Sequence, residues 1–222
     1  MTVIGANRPS PQADPAITVR TSRPGLRLAF LYWMSRRGPA TAATVTGCAI
    51  ALWAILHWRL ANGEGVGGQP MLIIIETGVA AVIAGVIRSP IGELERSGGR
   101  WLPYLRLGGA VALTSGAFGL LAAAAAIGGG MNGGTLALLR NVAGLAGIGF
   151  LTAAVVGGGF AWTGPVVVLV LAEVAIEQAW TTPLIWAARL PHDRGAAISA
   201  GLVAVAGIVA ATLFGARDQA GD

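Results

Sequence analysis

The chain alternates long apolar stretches with short clusters of glycine, proline and arginine, and neither a strand-like period of two nor isolated amphipathic stripes dominates it. A bilayer core needs about 20 consecutive mostly apolar residues per helix. Six stretches approach that length, at about 41–60, 70–87, 107–127, 135–160, 165–180 and 195–215. The third and fourth come from one uncharged run of 33 residues, Leu107 to Leu139, too long for a single crossing. The cluster Gly128-Gly129-Gly130-Met131-Asn132-Gly133-Gly134 divides it, because consecutive glycines break helices. Trp162-Thr163-Gly164-Pro165 marks a tight turn before the fifth stretch. The expectation is an all-α polytopic membrane protein with six transmembrane helices, or five if the fifth stretch only dips into the bilayer.

Ahead of these stretches the pattern changes. Residues 1–21 are polar and proline-rich and read as a disordered cytoplasmic tail without a secretory h-region. Over 22–38, Ser22-Arg23-Pro24 starts a helix with Leu26, Phe30, Trp33 and Met34 on one side and Arg27, Arg36 and Arg37 among its polar positions. It is too short and too charged to cross, and suits a helix lying in the interface. The transmembrane domain then occupies 39–217, with a cytoplasmic loop over 88–106 and a short C-terminal tail over 218–222.

Composition narrows the class. Hydrophobic residues make up 55% of the 222 and charged ones 11%, against about 25% charged in a soluble domain. That excludes a disordered body and disfavours a soluble enzyme. All 15 cations are arginine. Without lysine there is neither a Walker A phosphate loop nor a Schiff base in this chain. Cys48 is the single cysteine, so no internal disulfide and no cysteine zinc site can form. His57 and His192 have no ligand spacing, and neither H-E-x-x-H nor G-x-S-x-G occurs. Gly144, Gly147 and Gly149 superficially resemble a nucleotide loop, but they follow a membrane-helix start rather than a strand. With Ala80/Ala84, Ala81/Gly85, Ala143/Gly147 and Ala196/Ala200 they read as small residues for close helix packing, within one subunit or along a dimer seam. The arginines are scattered between spans, which argues against nucleic acid. The expectation is therefore a non-enzyme with no metal or cofactor of its own.

Arginine placement also orients the chain. With six spans, eleven arginines fall on the side of the termini and four, Arg59, Arg140, Arg189 and Arg194, on the other. The positive-inside rule then puts both termini in the cytoplasm of a multi-pass plasma-membrane protein.

A few polar residues interrupt the apolar pattern. Glu76 sits inside the second span, where a carboxylate must face protein, water or a cation, either on a transport route or in a hydrogen bond to another helix. Glu173 and Glu177 share one face of the fifth helix, as an outer gate or cation site, or as partners of Arg189 or Arg194. Arg140-Asn141 can be a headgroup anchor or a substrate contact. The segment from Trp180 through Pro183 and Trp186 to His192, Asp193 and Arg194 is too short to cross and too apolar for a plain loop. It predicts a re-entrant outer piece with both tryptophans at headgroup depth. In the cytoplasmic loop, Ser89-Pro90 starts a short helix with Glu93 and Glu95 near its positive end, and Gly98-Gly99 ends it. It is either a connector or a docking handle.

The stretches SPIGELERSGGRWLPYLRL, LLRNVAGLAGIGFLTAAVVGGGFAWTGP and EQAWTTPLIWAARLPHDRGAAISAGLVAVAGIVAATLFGARD, over roughly residues 25–218, resemble an ABC-2-type ABC transporter permease subunit of the compact actinobacterial kind. That resemblance implies a half-transporter that pairs with itself or a paralogous permease to export an apolar or amphipathic substrate by alternating access. ATP and magnesium would be bound by a separate ATPase subunit. Residues 90–97 would match the coupling helix, with Pro90, Gly92, Glu93, Glu95, Arg96 and Arg100 in its neighbourhood. The helix carrying Phe30, Trp33, Arg36 and Arg37 would match the elbow helix. Glu76, Asn141, Glu173 and Glu177 would be candidates for the translocation path. The outer loops are too short to hold an external capture domain. Two other classes fit the pattern: a non-transporting membrane scaffold or immunity protein, and an ion-coupled carrier resting on the three glutamates.

Overall fold

The computed structural model describes residues 33–34, 38–62, 69–86, 102–128, 134–179, 182 and 184–214. Their long elements are six α-helices: α1 Gly38–Asn62, α2 Gln69–Gly85, α3 Leu102–Ile127, α4 Gly134–Val155, α5 Thr163–Glu177 and α6 Arg194–Leu213. Two short 3-10 helices, Gly158–Phe160 and Trp186–Ala188, lie before and after α5. No strand occurs among the described residues. The helices start where the chain chemistry allows. Pro39, Pro70, Pro103 and Pro165 all fall in first turns, where the missing N–H has no intrahelical partner to lose. α6 starts instead on Asp193, whose side chain accepts from the Ala196 N–H at 3.1 Å. α4 ends where Gly157 adopts φ 124°, a conformation open to glycine.

Five stretches are long and apolar enough to cross a membrane: Gly38–Arg59, Arg106–Ile127, Gly134–Val155, Gly158–Glu177 and Arg194–Leu213. The short member is the second rather than the fifth. Met71–Gly85 is apolar but shorter, and the 17 residues of α2 span about 25 Å against a hydrocarbon thickness of about 30 Å. The chain is thus all-helical with the makings of a multi-pass membrane protein. The interfacial helix predicted over 22–38 lies outside the described residues except for Trp33 and Met34, which are helical.

α4 is the axis of the bundle. Within its span 61% of the most apolar window is inside the protein, against 22% to 28% for the other four. The outer helices turn bulky side chains outward, among them Val167, Val170, Leu171, Ile198, Leu202 and Val205, as lipid-facing surfaces do. The glycines of α4 each receive a different neighbour. At Gly144 a Cβ would lie 2.5 Å from the Trp186 ring. At Gly147 it would lie 2.6 Å from the Ala204 Cα, and Gly207 of α6 faces the Gly147 backbone in return. At Gly149 it would meet the Ala84 Cβ of α2 at 2.5 Å. Without a hydrophobic drive between helices in lipid, close backbone approach is what gives dispersion contacts their strength. Ala80, Ala84, Ala196 and Ala200 are all fully buried in the same subunit.

Candidate functional site

A chain of polar groups runs through the packed bundle. Glu76 of α2 and Arg140 and Asn141 of α4 are buried at 3%, 8% and 5% exposure. Each lies about two turns from the N-terminal end of its helix, or about 10 Å along it. Asn141 Nδ2 donates to Glu76 Oε2 at 2.9 Å. Arg140 Nε donates to Asn141 Oδ1 at 3.2 Å. The rest of the guanidinium turns to the segment before α6: Nη1 donates to the Leu190 carbonyl at 2.9 Å, and Nη2 to those of Trp186 at 2.7 Å and Arg189 at 3.1 Å. A planar fork of fixed donors suits this task, because one side chain can hold several carbonyls at once.

Why the chain folds this way here is local. Asn141 is adjacent to Arg140, so one helical position aims at the segment 186–190 and the next at α2. Gly144, one turn further along α4, leaves the room in which the Trp186 ring lies. Trp186 is 3% exposed and packs with Ile73, Ala172, Ala187, Ala196 and Ala200. The segment before α6 is therefore folded into the bundle and anchored from both sides, by an indole in a glycine gap and by a guanidinium on its carbonyls.

Several expectations change. Arg140 is not a headgroup anchor: it is buried inside the protein, where three carbonyls and an amide oxygen accept from its guanidinium. Glu76 makes the hydrogen bond to another helix that was one of its two readings. Glu173 and Glu177 do not pair with Arg189 or Arg194. Arg189 Nε instead binds Asp193 Oδ2 at 2.7 Å, and Glu177 is exposed. Glu173 Oε1 is buried without a hydrogen-bond partner, as is Trp186 Nε1. Trp186 is enclosed by protein rather than set among headgroups, and His192 is exposed. Pro90, Gly92, Glu93, Glu95, Arg96 and Arg100 lie outside the described residues, as do Phe30, Arg36, Arg37, Trp180 and Pro183. No group of three or more His, Cys, Asp or Glu side chains is arranged to hold a metal ion among the described residues.

Sequence reasoning missed the joining of Arg140 to the segment before α6. The only hint was the spacing Arg140-Asn141-x-x-Gly144, in which a polar pair is followed after one turn by a residue with no side chain.

Asp193 secures the far end of the same segment. Its carboxyl is held below the ordinary aspartate value of 3.8, first by the Ala196 N–H and then by the Arg189 guanidinium. A lowered pKa in the folded state stabilises above the unfolded value, and that contribution disappears as pH falls through the folded value. Asp193→Ala should therefore lower the thermal midpoint of the purified protein slightly at neutral pH. The midpoints of variant and wild type should converge under acid conditions below pH 3.8; a constant gap across that range would show that the carboxylate charge is not what acts.

Comparison of the chain with family models, with curated proteins and with solved structures finds no match.

Proposed function

We propose that this chain is the permease subunit of an ATP-driven exporter of the ABC-2 type, crossing the plasma membrane six times with both termini cytoplasmic. The observation that carries the reading is the segment around Trp186–Ala188. It is a short piece folded back into the bundle immediately before the last long helix, the layout that the resemblance implies for an outer re-entrant element. The central position of α4 adds to it: one rigid axis with helices clamped on it through Gly144, Gly147 and Gly149 is suited to moving as a body. Alternating access requires two states that differ in their affinity for the cargo. In this reading the loop with Glu93, Glu95 and Arg96 receives the stroke of a separate ATPase, a second permease copy or a paralogue completes the pathway, and an apolar or amphipathic substrate moves between them.

The test is reconstitution. The full chain should co-purify with an ATPase encoded beside it, and in vesicles the pair should hydrolyse ATP in response to cargo. Charge reversal at Glu93 and Glu95 should uncouple that hydrolysis by tenfold or more. Failure to associate sinks the reading, as does hydrolysis indifferent to those changes. Transport that follows an imposed pH gradient without any ATPase favours an ion-coupled carrier with Glu76 as its ion-binding group. Movement of nothing under either drive favours a membrane scaffold.

A further inference from the structure

We propose that the indole N–H of Trp186 and the carboxylate of Glu173 are the two ends of one internal binding site for a single hydroxyl oxygen, that of a water molecule or of an alcohol-bearing amphiphile. Both Trp186 Nε1 and Glu173 Oε1 are buried and lack a protein hydrogen-bond partner. Native structures seldom leave such atoms unsatisfied, and a pair of them on touching elements calls for a common explanation.

The two groups belong to one neighbourhood. Leu169 and Ile176 of α5 pack into the cluster around Trp186, with Ile185 and Ile148 beside them. Glu173 is four residues after Leu169 and three before Ile176, so it stands between them on the same flank of the helix. The indole comes in from the segment between α5 and α6. Its Nε1 edge lies over Gly144 of α4, where a Cβ would sit 2.6 Å from that nitrogen. Trp186 itself is 3% exposed, so its N–H can be served only from within the bundle.

Donor and acceptor chemistry then selects the occupant. An indole N–H only donates, and a carboxyl oxygen such as Glu173 Oε1 accepts. An ammonium group has no lone pair to take the indole proton. A proton-free anion can accept from Trp186 but has no proton to give Oε1. A hydroxyl oxygen does both, accepting from Nε1 and donating to Oε1. Such an occupant ties the outer segment to α5, just as Arg140 ties it to α4. This inference stands apart from the transport reading, because a resident water would serve a scaffold equally well.

The experiment is NMR on the full chain with 15N-labelled tryptophan in detergent, the Trp186 signal being assigned by its loss in Trp186→Phe. A cross-peak from the Trp186 Nε1 proton to a long-lived water is the expected result, and it should be lost in Glu173→Leu. Titration with 1-octanol, with octane as control, separates the two sources. Displacement of the water signal by octanol alone identifies a site open to alcohols, and indifference to octanol identifies a resident water. If Nε1–H contacts neither water nor octanol, or bonds Glu173 directly, the proposal is overturned. The wild-type spectra decide this even if a variant fails to fold.

Discussion

Gly207→Val should destabilise the purified protein by about 3 kcal/mol, the upper end of what overpacking costs in well-packed interiors. The reason is that the obstacle is backbone. A Cβ at Gly207 would press on the Gly147 main chain, and a Cβ at Gly147 would meet the Ala204 Cα and the Val203 carbonyl within 2.7 Å. A flexible side chain can swing aside, whereas two helix backbones can only move apart. Separation would cost the α4–α6 contact along its length, because packed interiors transmit strain rather than absorb it. Gly201→Val is the internal control. It lies on the same helix with nothing within 4 Å of its would-be Cβ, so thermal unfolding in detergent should leave it close to wild type. Equal effects at positions 201 and 207 would show that the close crossing does not hold the bundle together.

Arg140→Met should cost about 3–5 kcal/mol, because each buried acceptor left unsatisfied costs about 1–3 kcal/mol. The substitution keeps an unbranched side chain of similar reach but removes four donated hydrogen bonds. It also leaves Asn141, which donates to Glu76, without the Arg140 donor to its own Oδ1. The double variant Arg140→Met with Glu76→Gln should therefore lose less than the sum of the two single changes, since both side chains bond Asn141 and belong to one network. A thermodynamic cycle in one detergent measures this directly, and strict additivity would mean that the two side chains do not act as a unit. Protease sensitivity gives the structural counterpart: cleavage near Arg189 should rise in Arg140→Met, because the carbonyls of residues 186, 189 and 190 lose the side chain that pins them.

How much of this was legible beforehand follows from what a one-dimensional pattern can hold. The helices were readable, because length and apolar content are properties of consecutive residues, and because Pro39, Pro70, Pro103 and Pro165 sit where helices begin. The glycine-rich break at 128–134 was readable for the same reason. Glu76 announced itself as a buried group, since a charge in the middle of an apolar stretch has few places to go. Its partner was not readable: Asn141 is 65 residues away, and nothing near Glu76 in the chain encodes the rotation of α4. Arg140 was misplaced by the same blindness. An arginine near a helix end looks like an interfacial anchor in any sequence, and only a segment arriving 46 to 50 residues later gives its donors better acceptors.

The sequence by itself determined an all-helical chain too apolar for water, with breaks at glycine and proline and without the lysine that a phosphate loop needs. Those are consequences of composition and spacing, which act through solvent and local backbone geometry. The tertiary structure alone decided that α4 is the axis, that three of its glycines each seat a different neighbour, and that Arg140 faces inward to hold the segment before α6. The physical reason is that hydrocarbon attracts every apolar face equally. Which face meets which is then settled by close backbone approach and by the few buried polar groups, and both depend on residues distant in the chain.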